Sequence, residues 1–337
     1  MSDLKGIEIS DVLGLSQPIT KLIETVSGGI GKLYEPMHIK KIAKAKAEEI
    51  KLISDAMEEC SVIPTQYNDG NLLLNNTDWN EFVKRTQGRL AFQELQKQNN
   101  IECVISQTYN ILENAEFCSR EPVEQGWITR FFDSVADVSD EDLQKLWGKV
   151  LAGEIKQPKL YSLRTLETLK NLSKYEAELF QKIVPYIVNT SGNLFLPSDT
   201  EILQKYNILY GEIMRLDECG LINSGGLISL NLPISDTKRI ALHNNSKIAI
   251  IQGLNTNEEK ISIGEYGLTR AGKELFSIMD ETPNDEYFND LVEKIAKTNS
   301  KRVHIIIHQI NYIERDRINY NDTILCEFPA KLEETSK

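Results

Sequence analysis

Two histidines four residues apart, His304 and His308, have the first spacing that suggests chemistry. On a helix that spacing places two imidazoles on one face, where they ligate a metal together. Here they sit in a β-branched run from Arg302 to Ile310 that reads as a buried strand. Along a strand, positions i and i+4 lie about 13 Å apart, too far to share an ion. His38 lies beside a basic run and His243 in Asn-rich sequence, neither with a Cys or Asp set at ligand spacing. Gly28-Gly29-Ile30-Gly31-Lys32 suggests a phosphate loop, but the GxxxxGK spacing is missing. No GxSxG or HExxH occurs, and no paired carboxylates stand out from the general acidity. Spacing therefore points to no metal, no cofactor and no catalytic residue. A catalytic site assembled from distant residues stays open, because spacing cannot reveal one.

The composition bounds the partners. With 38 basic and 50 acidic residues, the net charge is −12, which disfavours broad non-specific nucleic-acid binding and leaves a local basic patch open. The five cysteines, Cys60, Cys103, Cys118, Cys219 and Cys326, are odd in number and lack CxxC spacing. With no signal peptide, they predict reduced thiols in a cytoplasmic protein. No apolar run reaches the ~20 residues that span a bilayer. At 337 residues the chain predicts two or three domains.

The element with the fullest set of local signals is Val138–Glu154. Ser139 reads as its N-cap, with Asp142 three residues on as an acidic capping box, and Val138 and Leu143 as a hydrophobic staple. Leu143, Leu146, Trp147, Val150 and Leu151 form one apolar stripe. Gly153 reads as the stop, and Gly148 as a point where another helix approaches closely. All of this describes a core helix, with Trp147 facing a partner as the alternative.

These residues carry a resemblance. Ser139–Glu154, followed by Pro158 and Ser162–Lys170, resembles an uncharacterised bacterial protein family over most of the chain. Around Val138–Leu172 it is more loosely similar to the abortive-infection alpha proteins, which are associated with phage defence. The shared pattern is structural, so the resemblance implies a fold and a defence role, and no catalytic residues.

Towards the N-terminus, Leu15, Ile19, Leu22, Ile23, Val26, Ile30 and Leu33 form a helical stripe interrupted by glycines. After Pro36 comes a basic helix with Lys40, Lys41, Lys44 and Lys46. Such a pair either docks on another helix or lies on an anionic membrane surface. The candidate contact residues are Ile19, Ile23, Ile30, Leu33, Lys40, Lys41 and Lys44. Thr86–Leu112 predicts a long polar-faced helix of the kind that pairs or forms oligomer contacts.

From Ser173 the pattern changes. Ser173 and Glu176 form a capping box, and Ser198 with Glu201 caps a short helix. Ile208–Cys219 is another helix, ended by Gly220. Leu221–Leu232 reads as a β-hairpin through Gly225-Gly226, and Ile240–Gln252 adds strand. Thr269 caps a helix from Ala271. The order resembles a winged helix-turn-helix, as does Gly267–Leu275. Its third helix would enter the major groove, yet it carries Glu212, Asp217 and Glu218 against Arg215 alone. Arg215, Lys238 and Arg239 are the nucleic-acid candidates. A helix at Tyr287–Lys297 and short strands near 302–310 and 324–328 complete the chain.

The expected fold is therefore mainly α with a smaller α+β part: a helical N-terminal half, a winged-helix-like domain and short C-terminal strands. The expected divisions are 1–60, 61–173, 174–280 and 281–330. The expected function is a phage-defence protein of the abortive-infection kind, acting through protein–protein or membrane-surface contact. Its expected partners are a protein or phage component, an anionic membrane surface and a second copy of itself. It would be cytoplasmic, with peripheral attachment at the inner membrane. The alternative is a DNA-binding transcriptional regulator that uses the winged-helix-like domain. An enzyme is the least supported class.

Overall fold

The computed structural model describes residues 16–30, 67–68, 71–72, 78–225, 229–280, 282–314 and 317–329. The chain divides into two compact units, Met1–Lys170 and Asn171–Lys337.

The first unit is helical: α1 (Gln17–Ile30), α2 (Asp78–Leu112), α3 (Gln125–Val135), α4 (Glu141–Lys156) and α5 (Leu163–Lys170), with a two-residue antiparallel pair, β1 (Tyr67–Asn68) and β2 (Asn71–Leu72). The expected stripe of α4 is inside, with Leu146, Trp147, Val150 and Leu151 buried. Trp147 meets Phe131 edge-on at 5.3 Å, and Phe131 stacks on Trp127 at 5.3 Å. Gly148 is where α2 comes close: a Cβ there would lie 2.7 Å from Gln107 Cβ.

Two expectations for α4 are corrected. The cap is Asp140, whose carboxylate accepts from the Asp142 and Leu143 amides at 3.0 and 3.1 Å. Ser139 and Asp140 are both good caps one residue apart, and the extended backbone of Asp140, φ −73° and ψ 129°, marks the real boundary. Gly153 does not end the helix, which continues to Lys156. A Cβ at 153 would sit 2.5 Å from the Tyr161 hydroxyl, so this glycine makes room for Tyr161. Beyond it, the buried Glu154 carboxylate accepts from the amides of Lys159 and Tyr161. It thereby holds a loop in which Lys159 has a positive φ of 69°.

The second unit is α+β. The helices α6 (Lys174–Ile183), α7 (Thr200–Lys205), α8 (Tyr210–Glu218), α9 (Arg270–Phe276) and α10 (Asp285–Thr298) accompany β3 (Val188–Thr190), β4 (Asn193–Pro197), β5 (Ile222–Asn223), β6 (Ser229–Ile234), β7 (Arg239–His243), β8 (Lys247–Gly253), β9 (Glu259–Leu268), β10 (Val303–Glu314) and β11 (Arg317–Phe328). All nine strands form one antiparallel sheet in the order β11-β10-β8-β7-β3-β4-β9-β5, with β6 also on β9. The apolar face of α10, Tyr287, Phe288, Leu291, Val292 and Ile295, shares one core with alternate residues of β6 to β10, such as Leu242, Ile251, Ile261, Ile305 and Ile307. The Ser173–Glu176 capping box and the Thr269 cap are present.

Three corrections follow here. The unit contains more strand than a mainly α reading allows. The C-terminal strands are twelve residues each rather than short. Leu221–Leu232 is no hairpin: β5 pairs with Gly267–Leu268 of β9, and β6 pairs with Glu259–Gly264 of the same strand. One ten-residue strand offers both partners, and residue spacing does not say which neighbour a strand takes.

His304 and His308 both lie in β10, as the β-branched run predicts. His304 Nε2 is 2.8 Å from Glu327 Oε1, and the His308 ring packs on Tyr320. His243, at the end of β7, is buried and accepts on Nδ1 from the Asn245 amide. Burial pulls its pKa below the ordinary 6.5. Folded His243 thus binds a proton more weakly than unfolded His243. Its stabilising contribution is complete above pH 6.5 and declines as the pH falls below that value. We expect His243→Gln to flatten the fall in urea midpoint on acidification below pH 6.5. An unchanged pH slope would contradict this.

Candidate functional site

Arg215 sits on α8. That helix is anchored by Ile213 and Leu216, both buried. At its start the Glu212 carboxylate accepts from the Leu209 amide at 3.0 Å and pairs with Lys182 of α6 at 2.7 Å. Near its end Asp217 accepts from the Ser224 hydroxyl. Burial pushes the thiol of Cys219 up to about 12, which leaves it a neutral packing group.

Outward, α8 presents Tyr210, Gly211, Arg215 and Glu218, all exposed. Leu209 is 54% exposed and Tyr210 65%. Those values are far above what a core anchor shows, so the Leu209 side chain and the Tyr210 ring both stand open on this face. The Arg215 guanidinium lies 5.8 Å from the ring centroid of Tyr175, itself 55% exposed. The one arginine of α8 is thus laid over an aromatic ring. The helix YGEIMRLDE holds three acids against one base.

Lys238 and Arg239 lie elsewhere, at the start of β7. Lys238 Nζ is 3.4 Å from Glu258, and Arg239 Nε donates to Gln252 Oε1 at 3.1 Å. Among the described residues no hydrogen bond or ion pair joins either to Arg215, so the three nucleic-acid candidates lie on different elements.

Of the N-terminal candidates, Ile19 and Ile23 are 3% and 2% exposed and sit in the core of the first unit, where α1 packs on α3. Their stripe faces protein, because α3 supplies an apolar partner in Ile128 and Phe132. Ile30 is half-buried. Leu33, Lys40, Lys41 and Lys44 lie outside the described residues, as does Cys60. Cys103, Cys118, Cys219 and Cys326 are free thiols. Among the described residues, no group of three or more His, Cys, Asp or Glu is placed to hold a metal, and no helix is long and apolar enough to cross a membrane.

Sequence reasoning missed Tyr175, Leu209 and Tyr210. Helical period places them with Leu179 and Ile213, on the sides that become core. Each lies at or just before the first turn of its helix and so overhangs the packed part.

The molecule so defined is a helical unit joined to an α+β unit with an open, aromatic helix face. The family described as "Protein of unknown function (DUF2806)" matches residues 84–292, more than half of the chain, and the chain belongs to that family. The match begins in α2 and ends in α10, so it includes neither α1 nor the β10–β11 pair. No curated protein and no solved structure matches.

Proposed function

We propose that this chain is a bacterial phage-defence protein of the abortive-infection kind, acting by docking a protein partner on residues 174–280, which we read as a winged helix. The defence role rests on the likeness of Val138–Leu172 to the abortive-infection alpha proteins. The winged-helix reading is supported by three helices ahead of the wing and by the order β4-β9-β5, first strand, third, second. Protein docking rests on one observation, the outward face of α8. Its aromatic and aliphatic side chains are open, and its one exposed acid, Glu218, stands against one base, which is laid over Tyr175. Such a face carries no net positive charge to hold phosphate and offers the aromatic anchors that protein interfaces use.

The test is phage challenge of cells expressing the chain. Tyr210→Glu is expected to return plaque counts to those of unprotected cells, and Arg215→Ala to leave protection in place. Protection that survives Tyr210→Glu in a folded variant would remove the docking reading.

The runner-up is a DNA-binding regulator. It is favoured by the exposure of Lys238 and Arg239 in the β5–β9 connection, the position of a wing. Duplex DNA shifted at low salt by the native chain, but not by the triple variant Arg215→Ala, Lys238→Ala, Arg239→Ala, would put it first. A membrane-surface role rests on Ile30, Leu33, Lys40, Lys41 and Lys44, since Ile19 and Ile23 are inside the first unit.

A further inference from the structure

The first unit contains a cavity of about 780 Å³ between α1 and residues 119–128, within the size range of small-molecule sites. Its α1 wall is Gln17, Thr20, Lys21, Glu24, Thr25 and Gly28, spaced i, i+3, i+4, i+7, i+8, i+11. This is the polar back of the helix whose Ile19, Leu22, Ile23 and Val26 fill the core. Such a back is usually a solvated face. Here residues 119–128 line its other side, leaving it partly open to solvent, and it carries a buried cation.

Lys21 is 8% exposed. Its ammonium donates to the carbonyls of Ser119 at 2.9 Å and Ile155 at 2.7 Å. Those bonds occupy two of its three protons; among the described residues the third has no acceptor and is open to a guest. Burial pulls its pKa down, with Glu154, Glu121 and Glu24 acting in the opposite direction. An anion in the cavity would favour the charged form further. Arg120 lines the same cavity. It is exposed and has no hydrogen-bond or ion-pair partner among the described residues. Against these two cations the lining holds one acid, Glu24. Pro122, Val123 and Ile128 add an apolar side, suited to carbon rather than to a bare ion.

We propose that this cavity binds a small organic anion, its phosphate or carboxylate held by Lys21 and Arg120 and its carbon portion lying against Val123 and Ile128. The proposal concerns the first unit alone and stands or falls separately from docking on α8. Neither the spacing of the sequence nor the family match assigns a ligand to these residues.

Calorimetric titration of the full chain with inorganic phosphate, phenyl phosphate and citrate tests it, and the three arms separate phosphate from carboxylate. Phenyl phosphate or citrate is expected to bind with Kd of about 1 mM or tighter, and more tightly than inorganic phosphate. Arg120→Gln is expected to weaken that binding about tenfold while leaving the melting temperature of the free protein unchanged. Arg164→Gln, which alters an exposed arginine away from the cavity, is expected to change nothing. Thr25→Trp, which fills the cavity from α1, is expected to abolish binding in a protein that still melts cooperatively. Absence of binding by all three probes overturns the proposal, as does binding that Arg120→Gln and Thr25→Trp leave untouched.

Discussion

Gly272→Ala is expected to destabilise the second unit by about 3 kcal/mol or more, the upper end of overpacking costs. A Cβ at 272 would lie 2.0 Å from the Leu221 carbonyl oxygen and 3.0 Å from its carbon. Backbone atoms cannot give way as a flexible side chain would. This carbonyl is also fixed, accepting from the Thr269 amide at 3.0 Å and from the Thr269 hydroxyl at 3.2 Å. The other route to relief moves α9 outward. That motion breaks the cap in which Thr269 Oγ1 accepts from the Gly272 amide, and it lifts Ala271 and Leu275 out of the core. Gly211→Ala is the control. A Cβ there meets nothing within 4 Å, and alanine favours a helix by roughly 0.5–1 kcal/mol over glycine, so that variant is expected to be stabilised. Trp79, Trp127 and Trp147 all belong to the first unit, so fluorescence does not follow this change. Tyrosine near-ultraviolet dichroism and amide exchange over Leu268–Phe276 do. A Gly272→Ala protein as protected as the native one would mean that the close approach does not exist.

Gly272 also shows how legibility divides. Its neighbour Thr269 was readable as a cap, because a cap is a local pattern of side chain and amide. The need for glycine at 272 was not readable, because the atom it avoids belongs to Leu221, fifty-one residues earlier. The same division recurs along the chain. The stripe of Leu146, Trp147, Val150 and Leu151, the Ser173–Glu176 box and the strand around Ile305–Ile307 all follow from local period. The partner of each strand does not, which is why β5 and β6 read as a hairpin although both sit on β9. The stripe of α1 was readable as apolar, but apolar periodicity is the same for a membrane face as for a core face. Only α3 decides that Ile19 and Ile23 are core. At the candidate site Arg215 was visible by type. Its place over Tyr175 and the openness of Leu209 and Tyr210 depend on where the helices stop packing, which no window of sequence contains.

Trp147 carries the second large effect, and its size is expected to depend on what replaces it. The side chain is fully buried and rests edge-on against Phe131. Trp147→Ala empties that space and is expected to cost about 3–5 kcal/mol. The indole N–H of Trp147, however, has no hydrogen-bond partner among the described residues, and a buried donor without a partner costs roughly 1–3 kcal/mol in the native state. Trp147→Phe removes that donor and keeps an aromatic edge for Phe131. The relief offsets part of the lost volume, so this variant is expected to cost about 1.5 kcal/mol or less, well below the alanine variant. Trp127 supplies the contrast. Its indole N–H donates to the Tyr161 carbonyl at 2.8 Å, so Trp127→Phe loses a buried hydrogen bond as well as volume. The expected order of destabilisation is Trp147→Ala, then Trp127→Phe, then Trp147→Phe. Urea melts followed by the fluorescence of the remaining tryptophans measure it. If Trp147→Phe proved as costly as Trp147→Ala, the indole nitrogen would have to hold a bond, and the core around α4 would owe its specificity to that bond rather than to shape.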